Sequence, residues 1–358
     1  MRIACFLNTS GSSNWGCQAT FAGLRHLLVQ AYPQAEFVPF DLPPLPFRKL
    51  RQLRRYHDKR LGTAIINDDV DAVQRHLAHL NLSAGLLDGF THICFNGEGA
   101  VHYRSGHLLR CMGLLYLVAT DRKVAAVNQT IDLGRDAWLE QIVARVYNRL
   151  ETVAVREPVS LRYAHDIGIR NTRLIPDAVY GLPRMSRQEI GQRAGPYQLP
   201  ERYITLTGSS ALRPDRRSLR KLAGVIAAIR TCSDLPVVFM ASAKTDLWLA
   251  GRLADQGQVT VVGPPVKYQD AMAIIARSEV LVGGRQHPNI FAYIYATPYL
   301  PFAGNTFKNT GVAELQHYPV MPLTWDAAPD EIIQAWTAVE KLRGTEFREI
   351  SAGDFRIF

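Results

Sequence analysis

The sequence predicts an α/β protein made of two doubly wound, Rossmann-like domains facing a cleft, and three observations carry that expectation. The chain has 358 residues, long for one core and comfortable for two α/β domains. Short apolar runs alternate with segments of helical period, the pattern of parallel sheets joined by right-handed crossovers. Residues 181–202, rich in Pro, Gly, Arg and Gln, lack an apolar period and separate two such series. The expected division is therefore 1–180, a linker at 181–202, and 203–358. A hydrophobic content of 47% with 20% charged residues excludes a disordered chain.

In the first series, residues 3–7 form strand one, too short for the core of a secretory signal. A loop rich in Asn, Ser and Gly leads to a helix over 16–31, where Ala19, Ala22, Leu24, Leu27 and Leu28 recur at roughly helical spacing. That loop could offer backbone N–H groups to an anion, although it lacks the G-x-G-x-x-G spacing of a dinucleotide site. A plain turn with a helix cap is the alternative. Residues 36–41 form a second strand, ended by Pro43, Pro44 and Pro46. The stretch 47–61, FRKLRQLRRYHDKRL, reads as a basic amphipathic helix, suited to an anionic membrane surface, to a diphosphate-bearing acceptor, or simply to a solvated edge.

Residues 91–95 form a third strand that delivers Asn96-Gly97-Glu98-Gly99 at its carboxyl end. Glu98 is a candidate base, sugar-hydroxyl acceptor or helix-capping carboxylate. His102, His107 and Cys111 raise a metal reading, but no matched set of further ligands accompanies them, so no metal is expected. The strand at 123–127 ends in Asn128-Gln129-Thr130, a polar cluster suited to hydrogen-bonding a sugar. A helix over 138–150 and a β-branched strand over 152–155 follow. At that strand's end stands Arg156-Glu157-Pro158-Val159-Ser160, with the proline opening a helix over 159–166.

The second series begins with a strand at 203–206 and a small-residue turn, Thr207-Gly208-Ser209-Ser210. Helices over 216–230, 245–253 and 269–277 then alternate with strands at 236–240, 259–262 and 279–282, and a last helix spans 330–341. Gly283-Gly284 end the last of those strands, and Arg285-Gln286-His287 follow before Pro288 opens a helix that runs to Thr297-Pro298, where a further strand starts. Arg285 and His287 thus sit at a strand's carboxyl end beside a helix amino terminus, where open α/β sheets bind ligands. An arginine there can hold a carboxylate or phosphate through two parallel hydrogen bonds, and a histidine can move a proton near neutral pH.

The formal charge of +9 favours an anionic partner. Nucleic acid is set aside, because the sequence has no zinc-finger spacing, no RNA-binding signature and no long basic tail. Five cysteines, odd in number and without CxxC spacing, read as reduced thiols of a cytoplasmic protein. No apolar segment reaches transmembrane length, so any contact with the inner face of a membrane is expected to be peripheral.

Gly283-x-Arg285-x-His287, a helix of small and apolar residues, a Pro-containing strand, Lys308 and then Gly311-x-x-Glu314-Leu315 together resemble the carboxyl-terminal signature of the polysaccharide pyruvyl transferase family. Asn14-Trp15-Gly16 matches the family's early Asn-x-Gly loop. Arg156-x-x-x-Ser160, followed by Gly168 and Pro176-Asp177, matches its central motif. Glu98 departs from the glycine-rich turn usual at its position. The resemblance implies phosphoenolpyruvate as donor substrate with no cofactor, and an oligosaccharide or lipid-linked sugar as acceptor, converted to a cyclic pyruvate ketal. It implies His287 as proton donor and Arg285 and Arg156 as holders of the anionic groups. Asn14, Glu98, Asn128, Gln129 and Ser160 are the further candidates for substrate binding, with Lys308 either neutralising the leaving phosphate or lying on the surface. Two other readings stand beside it: a glycosyltransferase of the same GT-B-like architecture, with Arg285 on a nucleotide-sugar diphosphate and His287 or Glu98 as base, and a non-catalytic polysaccharide-binding or assembly protein.

Overall fold

A computed structural model describes residues 1–44, 51–353 and 355–358. The chain divides into two compact units, one comprising Met1–Thr9, Gly23–Gly181 and Ala352–Phe358, the other Ser10–Ala22 and Leu182–Ser351.

The first unit is built on six parallel strands: β1 (Arg2–Phe6), β2 (Glu36–Phe40), β3 (His92–Asn96), β4 (Lys123–Gln129), β5 (Thr152–Val155) and β6 (Thr172–Leu174), in the spatial order β2-β1-β3-β4-β5-β6. Its helices are α1 (Trp15–Ala31, the part after Ala22), α2 (Arg51–Ile66), α3 (Val70–His79), α4 (Leu108–Val118), α5 (Ala137–Tyr147) and α6 (Pro158–Asp166). Helix starts follow local chemistry. The Asp69 carboxylate accepts from Ala72 N at the head of α3, and that of Asp136 accepts from Trp138 N and Leu139 N at the head of α5. The carboxyl-terminal residues return to this unit, where the amides of Ile357 and Phe358 donate to the Tyr32 hydroxyl at 2.8 and 2.9 Å.

The second unit carries β7 (Ile204–Ser209), β8 (Val237–Met240), β9 (Thr260–Val262), β10 (Val280–Gly284) and β11 (Tyr299–Pro301), all parallel in the order β11-β10-β7-β8-β9. The head of α1, through Ala22, belongs here together with α7 (Arg187–Ala194), α8 (Arg216–Arg230), α9 (Lys244–Asp255), α10 (Tyr268–Arg277), α11 (Gln286–Ile294), α12 (Lys308–Leu315) and α13 (Pro329–Glu340). Strands β7, β8 and β10 are buried along their whole length, as strands covered on both faces must be, which explains the continuous apolar runs at Val237–Met240 and 280–282; β7 instead interleaves the buried Thr205 and Thr207 with its apolar residues. The stretch expected as a linker holds α7, whose start is closed by a reciprocal Ser186–Glu189 capping box.

Each sheet contains one point where the strand order reverses, between β1 and β3 in the first and between β7 and β10 in the second. Ligands of doubly wound sheets gather outside the carboxyl ends of such strands. Glu98 follows β3 and Arg285 follows β10, so each lies at a reversal.

Several elements differ from the sequence-based expectation. Helices α3 and α4 and strand β6 stand where the pattern assigned nothing; α4 is buried on nearly every side and so shows no amphipathic period. Of the expected basic helix, 47–50 lie outside the described residues and the rest belongs to α2, which buries Leu61, Ala64 and Ile65 and exposes Arg55, Lys59 and Arg60. None of the five cysteines is in a disulfide, and burial pushes the thiols of Cys5 and Cys111 up to about 12. Among the described residues, no helix is long and apolar enough to cross a membrane.

Candidate active site

The second unit brings together two of the sequence motifs. Asn14 opens α1 by accepting the Gly16 amide on its side-chain oxygen at 2.9 Å, and Trp15 is buried against Phe291 of α11, ring centroids 5.6 Å apart. One turn on, the hydroxyl of Thr20 lies 2.8 Å from Nε2 of His287 although 267 residues separate them. Gly16 has to be glycine for this approach, because a β-carbon there would stand 2.5 Å from Nδ1 of His287. The Asn-x-Gly loop and the Arg-x-His element are thus two faces of one packed assembly. His287 itself is the second residue of α11 and is 8% exposed.

Arg285 caps the same helix, and its guanidinium donates to Oδ1 of Asp246 at 2.7 Å. Asp246 is wholly buried in the first turn of α9; its other oxygen accepts from the amide and hydroxyl of Ser242 at 3.1 and 2.9 Å. Gly208 allows the carboxylate this position, since a β-carbon on Gly208 would meet Oδ1 at 2.1 Å. The Nε of Arg285 and the side-chain amide nitrogen of Gln286 are buried with no hydrogen-bond partner, donors left over at the head of α11. Lys308 begins α12, and the next residue, Asn309, donates to the carbonyls of Gly284 and Phe302 at 2.9 and 2.7 Å, which ties α12 to the end of β10. Ser210 and Asn305 close that end of the sheet, with the Ser210 hydroxyl on Oδ1 of Asn305 at 2.8 Å.

In the first unit, Arg156 leaves the end of β5 and is 3% exposed. Its Nη1 donates to Asp177 at 2.8 Å and its Nε to the Thr130 hydroxyl at 3.1 Å. Ser160 bonds to the carboxylate of Glu157 through both hydroxyl and amide, and its oxygen also accepts the amide of Ile131 at 2.9 Å. Gln129 accepts from the Tyr147 hydroxyl at 2.5 Å and donates to the Ala154 carbonyl at 3.3 Å. Asn128, at φ 61° where β4 loses its register with β5, donates to Asn96 and accepts from the amide of Ala178. Each of these four side chains is therefore bonded to protein groups. Glu98 is 8% exposed, with the Thr9 hydroxyl 3.5 Å from its carboxylate.

Glu157, fully buried as the cap of α6, has its carboxyl raised from 4.5 to about 7; burial drives it up and the two Ser160 bonds partly offset that. Because the folded-state value lies above the unfolded one, the native state binds the extra proton between these limits. Its contribution is therefore full below about pH 4.5 and lost as pH rises to about 7, a total of about 3 kcal/mol. Glu157→Gln is expected to flatten this slope, which urea denaturation midpoints measured from pH 4.5 to 7 will show.

Sequence reasoning missed the partners. Asp246 carries the weak signal of an acid in a first helical turn after a strand, and Asp177 stands inside a quoted motif without a role attached. Thr20 carries no signal at all, since its bond depends on tertiary contact. His102, His107 and Cys111 come to no shared centre: among the described residues no three His, Cys, Asp or Glu side chains are grouped to hold a metal ion.

Solved structures match over nearly the full chain at low identity. UDP-GlcNAc 2-epimerase from Methanocaldococcus jannaschii, in complex with UDP-GlcNAc and UDP, is 10% identical with a TM-score of 0.61, over 99% of this chain and 98% of that one. The Neisseria meningitidis UDP-GlcNAc 2-epimerase bound to UDP-GlcNAc is 10% identical at a TM-score of 0.58, over 96% and 94%. S. aureus MnaA with UDP is 12% identical at 0.54, over 96% and 89%. With the two parallel sheets, these likenesses give the expected fold class, α/β with two Rossmann-like units of GT-B-like kind. No curated protein sequence matches the chain. The family model described as polysaccharide pyruvyl transferase matches residues 14–306, from Asn14 through Arg156 to Arg285 and His287, ending two residues before Lys308. The chain belongs to the polysaccharide pyruvyl transferase family.

Proposed function

We propose that this protein transfers the pyruvyl group of phosphoenolpyruvate to two hydroxyls of one sugar, in a surface polysaccharide or its lipid-linked precursor, forming a cyclic ketal and releasing phosphate. The observation that carries the reading is the packing of the family's Asn-x-Gly loop on its Arg-x-His element, a histidine and an arginine at the head of one helix. A proton delivered by His287 to the methylene carbon converts it to methyl and leaves a cation-like centre at the adjacent carbon. One sugar hydroxyl adds there, phosphate departs with its bridging oxygen, and the second hydroxyl closes the ring. One hydroxyl proton replaces the proton spent on carbon and the other leaves with phosphate.

General acid help of this kind is worth about 10² to 10⁴ in rate. Arg285, oriented by Asp246, is assigned to the carboxylate or phosphate, where a charge-assisted bond contributes about 1.5–3 kcal/mol. Lys308 is assigned to the leaving phosphate, Glu98 to a sugar hydroxyl, and Asn14 to shaping the loop beneath His287. The internal bonds of Arg156, Asn128, Gln129 and Ser160 favour a role in holding the ends of β4 and β5. The exposed Arg55, Lys59 and Arg60 of α2 suit peripheral contact with an anionic membrane bearing the acceptor.

The test is incubation of the purified protein with phosphoenolpyruvate and a lipid-linked oligosaccharide. Phosphate release with a matching mass gain of the acceptor is expected, and both should vanish in Arg285→Ala while acceptor binding persists. Transfer from a nucleotide sugar with none from phosphoenolpyruvate would replace this reading by the glycosyltransferase one.

A further inference from the structure

The Thr20 hydroxyl has one hydrogen and two neighbours. It donates to the Gly16 carbonyl one turn back at 3.1 Å, and its oxygen lies 2.8 Å from Nε2 of His287. A hydroxyl that gives its one hydrogen to that carbonyl, which cannot donate in return, meets Nε2 as an acceptor. Nε2 must then carry a hydrogen in both the neutral and the cationic imidazole. Thr20 is wholly buried and His287 nearly so, and Trp15, 1% exposed against Phe291, holds α1 against α11, so the pair has little freedom to rearrange.

We propose that Thr20 is a positioning residue which fixes His287 as the Nε2–H tautomer, making Nδ1 the nitrogen that gains and gives up the transferable proton. The inference deepens the proposed function and rests on it for its catalytic meaning; the tautomer itself does not.

The experiment compares wild type, Thr20→Val and Thr20→Ser. Nitrogen-15 NMR of histidine-labelled protein, with the His287 signals identified by their loss in His287→Gln, reads the tautomer without substrate. Wild type and Thr20→Ser should show Nε2–H near neutral pH, and Thr20→Val a mixture of tautomers with unchanged circular dichroism. In turnover of phosphoenolpyruvate, Thr20→Val should lose roughly 10-fold or more in kcat with little change in KM. Thr20→Ser should restore kcat. An Nδ1–H signature in wild type, or an unaltered tautomer in Thr20→Val, overturns the proposal. Absence of phosphate release from wild type overturns the pyruvyl-transfer reading instead, and the NMR result stands apart from it.

Discussion

Replacing Asp177 by alanine is expected to cost the first unit about 3–5 kcal/mol of stability, the range for breaking a buried ion pair from one side. The pair is buried on both sides, with side chains 4% and 1% exposed and nitrogen and oxygen 2.8 Å apart. Removing the carboxylate leaves the guanidinium of Arg156 without its counter-charge in a place water scarcely reaches. The amide of Val179 also loses its acceptor, Oδ1 of Asp177, at 3.1 Å. Surface ion pairs, worth about 0–1 kcal/mol, set the contrast: Arg2–Glu36, with side chains 51% and 59% exposed, should show a far smaller loss on the same substitution. Urea denaturation with unchanged m-value measures both. Arg156→Met combined with Asp177→Ala should recover most of the loss, because the isolated charge and not the missing bond carries the cost. A loss below about 1 kcal/mol in Asp177→Ala would mean that Arg156 finds compensation elsewhere, and its assignment as an anion holder would regain weight.

That same pair shows how far the sequence could be read. The alternation of apolar runs located ten of the strands, because strands buried on both faces, such as β8 and β10, write themselves as continuous apolar runs. It also placed Arg285 and His287 at a strand end. It could not show that Arg156 and Asp177, both inside one motif, bind each other, since motif spacing does not reveal whether a polar side chain turns outward or closes on a neighbour. Asn128, Gln129 and Ser160 have the composition of a sugar site and the geometry of an internal scaffold, bonded to Asn96, Tyr147 and Glu157. Buried polar groups need partners whatever their function, so composition alone does not separate the two uses. Strand β6 escaped because its three residues are only half-buried, and α4 because apolar residues on every side erase the period that marks a helix.

Gly16→Ala should stop the reaction while leaving the fold intact. In most helices this exchange gains about 0.5–1 kcal/mol from reduced backbone freedom, so a rise in stability is the ordinary expectation. Here the new methyl would stand 2.5, 2.9 and 3.0 Å from Nδ1, Cγ and Cβ of His287. Those atoms are near the root of the side chain, so no small tilt of a flexible tip relieves the clash. Helix α1 cannot retreat easily, because Trp15 is 1% exposed and packed on Phe291. The imidazole is the group that yields, leaving its rotamer and its bond to Thr20. Phosphate release from phosphoenolpyruvate should then fall by about 10² to 10⁴, as for His287→Ala, with only a small change in urea midpoint. The double variant Gly16→Ala with His287→Ala gives the decisive comparison, since the 2.5 and 2.9 Å approaches disappear with the ring and the tight 3.0 Å contact to Cβ alone remains. Its turnover should match that of His287→Ala alone, and its stability should recover the ordinary gain for alanine in a helix. Effects that multiply instead would mean that Gly16 and His287 act on separate steps, and the early loop would lose its place beneath the proton donor.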